Sequence, residues 1–529
     1  MHDLLKSQTR AIELDRGVDV IDDVPHSYRG HLLTCSSGAL STERQAWYHT
    51  LVSVSSVASE SIRPRVVLAI CCMSIFIVSL DNTIVNVALP SIRRDLDASI
   101  SQLQWTIDAY TVMLAGLLIA SGSIADRVGR TKIFRLGLAL FSIGSLLCSL
   151  APTATVLIGC RMLQAVGGSM LNPVAMSIIR NTFDDPRERA QAIGMWGAVV
   201  GLSLALGPIV GGALVAALDW RAIFWVNVPV GVFAIVLTQR FVPESRAPRP
   251  RRVDWLGQAL VIVALGTLVY AIIEGSQAPS GSVRLTAPAL ISLAAFFALV
   301  RHERRHDEPL LDPRFFRSAP FSGAALIAVL AFTALGGFLF ITNLYLQGDR
   351  DLTPLQSGLY TLPMAVTAFV AAPLSGRLVG RRGARPSLVA GGAALALGSV
   401  MLTGLAATTP AASLLLAYLI FGFGFGMVNP PITNTAVSGM PGEQAGVAAA
   451  VASTSRLIGL SLGVAVVGAI AVPAIGGGAA VDPRFAHASH PGWWLLTGCG
   501  CAVVALGLVS TTSWARRTAR AAAAVGEAA

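Results

Sequence analysis

Several ionisable and amide side chains stand inside stretches that are otherwise almost wholly apolar. They are Asp81 and Asn82 in FIVSLDNTIVNVALPSI (76–92), Asp108 in LQWTIDAYTV (103–112), and Arg161 with Gln164 in CRMLQAVGGSMLNP (160–173). An ionised carboxylate in a hydrocarbon layer costs at least about 2.5 kcal/mol, so Asp81 is expected to face a watery cavity, where a carboxyl group can take up and release protons. Asp108, in the next span, is the other acid of this kind; for both, the competing reading is a hydrogen bond from helix to helix. Arg161 needs a partner at such depth, and Gln164 lies one turn away on its face. That makes Arg161 a candidate partner for a cavity carboxylate, driving off its proton as the two approach; a snorkelling anchor is the alternative. Arg456, in VASTSRLIGL, poses the same question.

The elements that hold these residues are spanning helices. Of 529 residues, 54% are hydrophobic and 13% charged, and the mean hydropathy is +0.66. Windows of about 20 apolar residues recur from about residue 66 to 514, roughly fourteen in all. The fold class is therefore an all-α polytopic membrane protein. The net charge of +10 would suggest nucleic acid in a soluble chain. Here the basic residues fall in alternate short loops: Arg127, Arg130 and Lys132, then Arg180, Arg187 and Arg189, then Arg246 to Arg252, Arg301 to Arg305, and Arg381 to Arg385. This pattern sets orientation, with the arginine-rich loops and both termini predicted on the cytoplasmic side of the inner (plasma) membrane, and no nucleic-acid partner. The seven cysteines have no zinc-type spacing and read as small apolar residues. No G-x-x-x-x-G-K-[ST] loop and no H-E-x-x-H helix occurs, so ATP-driven pumping and zinc hydrolysis find no support; no cofactor is expected.

The chain echoes itself in order. SGSIADRVGR (121–130) returns as SGRLVGRRGAR (375–385), MLNP (170–173) as MVNP (427–430), and GLSL (201–204) as GLSL (459–462). Three matches at a nearly constant offset predict two six-helix halves running in the same direction. The expected division is a disordered tail over 1–62, a first half over 63–242, a linker with two extra helices over 243–317, a second half over 318–514 and a cytoplasmic tail over 515–529. In GSIADRVGRTK (122–132), Gly122 and Gly129 allow close backbone approach. Asp126 can receive helix N-terminal N–H groups or pair with Arg130, and with Arg127 this loop could latch the cytoplasmic side. Gly380 stands where Asp126 has its echo, so such a latch is one-sided. In GLSLALGPIVGGAL (201–214), Ser203, Gly207 and Gly211 recur every fourth residue, a smooth stripe for another helix, while Pro208 bends its own.

These stretches resemble the fourteen-helix drug:proton antiporter branch of the major facilitator superfamily. LDNTIVNVALPSI is similar to the branch's first-helix signature, GSIADRVGRTK to the superfamily's loop motif, GPIVGG to the antiporter motif, and EPLLDPRFFR (308–317) to the segment before the ninth helix. The resemblance covers about residues 63–514. It implies that Asp81 and Asp108 bind protons or cationic substrate and that Arg161 aids coupling. It also implies that Asp126, Arg127 and Arg130 govern the cytoplasmic gate, and that Gly207, Pro208, Gly211 and Gly212 control packing that favours export. Ala165 and Ser203 replace glycines usual in the family, and no acid lies inside the thirteenth span, which weighs against divalent cationic drugs. The implied protein is no enzyme but a monomeric exporter of amphipathic small molecules in exchange for protons, with the lipid bilayer as its solvent. A proton-coupled nutrient importer of the same fold is the first rival, and a receptor or scaffold without turnover the second.

Overall fold

The computed structural model describes residues 42–183, 185–247, 253–275, 282–305, 313–438, 445–471 and 485–527. The chain divides into Met1–Val66 and Val67–Ala529. Of the first unit only the backbone from Thr42 is described, and it is helical; residues 1–41 of the expected tail lie outside the described residues.

Helices make up the rest in chain order: α1 (Thr42–Leu96), α2 (Ile100–Val128), α3 (Arg130–Ser149), α4 (Ala154–Thr182), α5 (Pro186–Ala217) and α6 (Ala222–Phe241). The two extra helices follow as α7 (Trp255–Gly275) and α8 (Val283–Glu303). Then come α9 (Ala319–Gly348), α10 (Pro354–Arg382), α11 (Ala384–Val400), α12 (Ala411–Ser438), α13 (Ala445–Ala471) and α14 (His490–Ser510). A terminal helix, α15 (Ser513–Glu527), ends the described chain. Among the described residues twelve helices are long and apolar enough to cross a membrane, and a thirteenth is α5, bent by 42° between its two parts. Pro208 accounts for the bend, since it lacks the N–H that would close the turn behind it. The remaining expected span, 386–406, eleventh in chain order, is occupied by α11, which ends at Val400 and passes into turns before Pro410.

Capping fixes several ends on the arginine-poor side. Ser99 and Gln102 form a reciprocal capping box at the start of α2, and Thr353 with Gln356 does the same at α10. The repeat seen in the sequence recurs in the packing. α3 packs on α4 and α6, while α11 packs on α12 and α14; α2 packs on α4, and α10 on α12. Gly129 and Gly383 carry the only positive glycine φ values among the described residues, and they occupy matching α2–α3 and α10–α11 loops. Gly459 and Gly463 bring α13 onto the Val329 and Thr333 carbonyls of α9. Pairs related by the repeat also join α1–α6 to α9–α14: α2 packs on α13, and α5 on α10.

α7 packs against both α2 and α13, and α8 packs on α7. Only 11% of the apolar window of α8 is buried, and Leu290, Ile291, Leu293, Phe296 and Phe297 face outward, so its solvent is lipid. In the C-terminal part, Phe338 stacks on Phe421 at 4.3 Å and meets Tyr418 and Trp493 edge-on, locking α9, α12 and α14 together.

Candidate functional site

Asp81 is fully buried at mid-length of the α1 span, and its carboxylate is completely surrounded by donors. Arg161 Nη1 of α4 donates to Oδ2, while Gln164 Nε2 (2.9 Å) and Asn227 Nδ2 of α6 (3.0 Å) donate to Oδ1. Ser145 Oγ of α3 accepts from both amides, at 2.6 and 3.1 Å. The guanidinium is held in turn: Nη1 also donates to Gln164 Oε1 (2.7 Å), Nε donates to the Thr106 carbonyl of α2 (3.1 Å), and the group lies 4.1 Å over the Tyr110 ring. One charge pair and two amides thus tie α1, α2, α3, α4 and α6 into a single node. The structure corrects the expectation that Asp81 lines a cavity: protein donors compensate its charge where water was expected to do so. Asn82 does not join the node. It points a quarter-turn away and bonds the Val78 carbonyl of its own helix at 3.2 Å.

Asp108 is equally buried but differently furnished. It sits where α2 meets α13, close to the Ser461 hydroxyl, yet neither of its oxygens completes a hydrogen bond with the described residues. Val112 of α2, Val269 and Ile273 of α7 and Ala465 of α13 form an apolar cluster along the same seam. A turn nearer the arginine-poor end, Gln104 Nε2 donates to the Val464 and Ala465 carbonyls at 3.1 and 3.0 Å, and Glu274 of α7 accepts from Trp105 Nε1 at 3.2 Å. α7 therefore covers the α2–α13 seam.

At the arginine-rich end, Arg130 grips Asp126 from the next turn, with Nε and Nη2 2.9 and 2.8 Å from one carboxylate oxygen. The N-terminal N–H groups of α3 are received by Glu244 and not by Asp126: Thr131 N and Lys132 N donate to its two oxygens at 3.0 and 3.2 Å. Backbone bonds from Arg130 N to Ser245 O and from Ala247 N to Asp126 O complete a strap between this loop and the segment after α6. Gly129 has φ +130°, and a Cβ there would stand 2.8 Å from the Glu244 carboxylate. Gly129→Ala is accordingly expected to cost about 1–3 kcal/mol and loosen the strap; faster protease cleavage after Arg127 or Arg130 in the purified protein would report it, and unchanged cleavage and melting would contradict it. Gly122 meets Pro173 of α4 at an ordinary 3.5 Å, and Arg127 is exposed.

The stripe on α5 faces α1. Ser203 Oγ approaches the Phe76 carbonyl at 3.4 Å, a side chain at Gly207 would overlap Thr83, and one at Gly211 would stand 2.7 Å from Ile84. Gly212 and Pro208 face the other way, onto α10: Gly212 against Leu355 and Gly358 against the Pro208 carbonyl. Asn227, Ser145, Glu244 and Gly358 were not singled out by sequence reasoning. Of these only Gly358 had a legible cue, its place beside Ser357 in the small-residue start of a span.

A bundle of spanning helices in two similarly packed sets, with a few charged side chains buried between helices, is the build of a membrane transporter and not of an enzyme. Residues 71–464 match the family model described as Major Facilitator Superfamily, and the chain belongs to that superfamily. It is 36% identical over 398 residues to a Mycobacterium tuberculosis protein named multidrug resistance protein Stp, covering 75% of this chain and 74% of that one. It is 35% identical to the tetracenomycin C resistance and export protein of Streptomyces glaucescens (78% and 77% covered). It is 34% identical to the multidrug efflux pump LfrA of Mycolicibacterium smegmatis (77% and 81% covered). Among solved structures, a bacterial homolog of the human lysosomal transporter Spinster, in an inward-facing and unoccupied conformation, superposes with a TM-score of 0.60 at 18% identity, covering 87% of this chain and 98% of that one. A POT family transporter gives 0.62 at 15% identity (84% and 94% covered). These two likenesses concern the fold.

Proposed function

We propose that this multi-pass membrane transporter exports amphipathic small molecules, drugs or antibiotics among them, from the cytoplasm across the plasma membrane in exchange for protons. Export is supported by relatives named for drug resistance and efflux that share about three quarters of the chain. The arginine-rich loops argue that this end is cytoplasmic. The halves, 63–242 and 318–514, would rock about a central site with the linker helices between them.

The observation that carries the coupling is the contrast between the two buried acids. Asp81 already has its countercharge in Arg161, whereas Asp108 meets no cation and no donor of good geometry in the closed seam between α2 and α13. Burying an ionised carboxylate without compensation costs several kcal/mol, so the seam closes over Asp108 in its neutral form and the proton leaves when the seam parts. The Asp81–Arg161 node keeps α1, α2, α3, α4 and α6 in register while α13 parts from α2. A unit charge moving inward at 100 mV releases about 2.3 kcal/mol, so membrane potential adds to the pH gradient.

Everted vesicles test this. Given an acid interior, they should load rhodamine 123, and dye addition should release protons. Asp108→Asn is expected to cut gradient-driven loading by about tenfold or more, the equivalent of at least 1.4 kcal/mol of coupling. Loading that needs no gradient, or that survives Asp108→Asn intact, would remove Asp108 from the coupling. Loading of right-side-out vesicles instead would favour an importer.

A further inference from the structure

Two arginines lie deep inside spans, and the structure treats them oppositely. Arg161 is enclosed by a carboxylate, two carbonyl-type oxygens and a ring. Arg456 stands eight residues beyond Ala448, where the apolar span of α13 begins, about 12 Å along the axis at 1.5 Å per residue. Its Nη2 donates to Thr433 Oγ1 of α12 at 2.6 Å and lies 3.5 Å from the Asn429 carbonyl. Its Nε is buried with no partner, and the Phe332 ring of α9 is 5.9 Å away. No described acid forms an ion pair with it. From residue 319 to 510 the sequence holds only four acids, Asp349, Asp351, Glu443 and Asp482. Asp349 and Asp351 lie past the arginine-poor end of α9. Glu443 precedes the start of α13, itself about 16 Å from Arg456 along the helix. Asp482 follows the far end of α13. The buried acids of the first half are no better placed: Asp81 is committed to Arg161, and Asp108 faces Ser461, more than one turn away on α13.

A guanidinium that is partly exposed at this depth cannot face lipid without a cost of about 2.5–3.5 kcal/mol or more, so its exposed part must be met by a polar group or water beside the α9 and α12 residues it touches. Guanidinium is a planar set of donors that matches an oxyanion, and here Nη1 has no hydrogen-bond partner among the described residues while Nε is buried without one. Phe332 and the neighbouring apolar face of α9 supply a wall for a hydrophobic body. We propose that Arg456 recognises a carboxylate, or an oxyanion of similar shape, on the exported molecule, with Thr433 holding the guanidinium in place. The missing countercharge of the second half is thus brought by the cargo. This deepens the export reading above and rests on it: the cargo class includes amphipathic molecules with an acidic group, beside those that carry none and pass without using Arg456.

The experiment uses two dyes that differ by one carboxylate. Rhodamine 110 has a free benzoic acid, and rhodamine 123 is its methyl ester. In everted vesicles carrying the full-length protein, Arg456→Gln is expected to reduce rhodamine 110 loading by about tenfold or more while leaving rhodamine 123 within about twofold; Arg456→Lys, which keeps the charge but loses the fork, should fall between. Equal loss of both dyes, no loss of either, or a wild-type protein that loads rhodamine 123 and excludes rhodamine 110 would overturn the proposal. Failure of the wild type to load either dye would instead count against export. Fluorescence polarisation on detergent-purified wild-type, Arg456→Gln and Arg456→Lys proteins then decides the recognition step by itself: weaker binding of rhodamine 110 alone in Arg456→Gln supports it, and indistinguishable affinities refute it.

Discussion

Arg161→Met is expected to lower the stability of the purified protein by about 3–5 kcal/mol, the penalty for leaving a buried charge without its partner. The donors that remain around Asp81 are two neutral amides, Gln164 and Asn227, which cannot replace a guanidinium whose Nη1 bridges the carboxylate and the Gln164 oxygen. Asp81→Asn should be milder, because Arg161 keeps the Gln164 oxygen, the Thr106 carbonyl and the Tyr110 face. The double variant Asp81→Asn/Arg161→Met removes both charges and should regain much of the stability lost in Arg161→Met alone, since replacing a whole buried pair by neutral groups is close to neutral. Thermal unfolding in detergent, read by intrinsic fluorescence, gives the coupling energy of the cycle. Additive losses would mean that the two side chains do not act as a pair in the membrane, and the node would lose its role as the register of the first half. Transport is expected to fail in all three variants if helix register is what the node provides, and to survive in the double variant if the pair is only structural ballast.

The sequence reading went furthest where one physical requirement acts locally. A run of about 20 apolar residues has to span whatever surrounds it, so the windows between about 66 and 514 coincide with the spanning parts of α1 to α14, and the displaced end of α11 reflects the LTGLAATTP segment, whose small and turn-forming residues do not continue a helix. The ordered echoes anticipated the matching packing of α2–α4 with α10–α12, because duplicated sequence repeats the same contact surfaces. Hydropathy also made it legible that Asp81 and Arg161 must be compensated. It could not show by what. Whether a buried carboxylate is met by water or by protein depends on the rotation of helices distant in sequence, and Asn227 comes to Asp81 from 146 positions away. Asn227 looked like an ordinary residue near a helix start in FWVNVPVG, and Ser145 like one more small residue in FSIGSLLCS. Glu244 was hidden for the same reason: its role as acceptor for the start of α3 depends on the end of α6 arriving beside that loop.

Gly358→Val carries the second large expected effect, because the arginine-poor end closes through backbone contact with no side chain between. A Cβ at Gly358 would stand 2.8 Å from the Pro208 carbonyl carbon, and the neighbouring Gly212 packs as tightly on Leu355 Cα at 2.7 Å. Both contacts join α5 to α10, and Gln347 Nε2 of α9 donates to the Val87 carbonyl of α1 at 2.8 Å among the same group of helix ends. Overpacking of this kind costs about 1–3 kcal/mol. Here the cost falls on one conformation only, since an arrangement with α5 and α10 apart has room for the valine; a bias of that size shifts the balance between the two by roughly 5- to 150-fold. A variant lacking native cysteines and carrying Val87→Cys should therefore react with a membrane-impermeant maleimide faster by a factor in that range when Gly358→Val is added. Rhodamine 123 export should fall in parallel, and the melting temperature should change little. Gly358→Ala, with the smallest side chain, should show the same direction at reduced size. Unchanged labelling with intact export would mean that the α5–α10 contact is not a gate, and the rocking of one half on the other would have to turn on the α2–α13 seam alone.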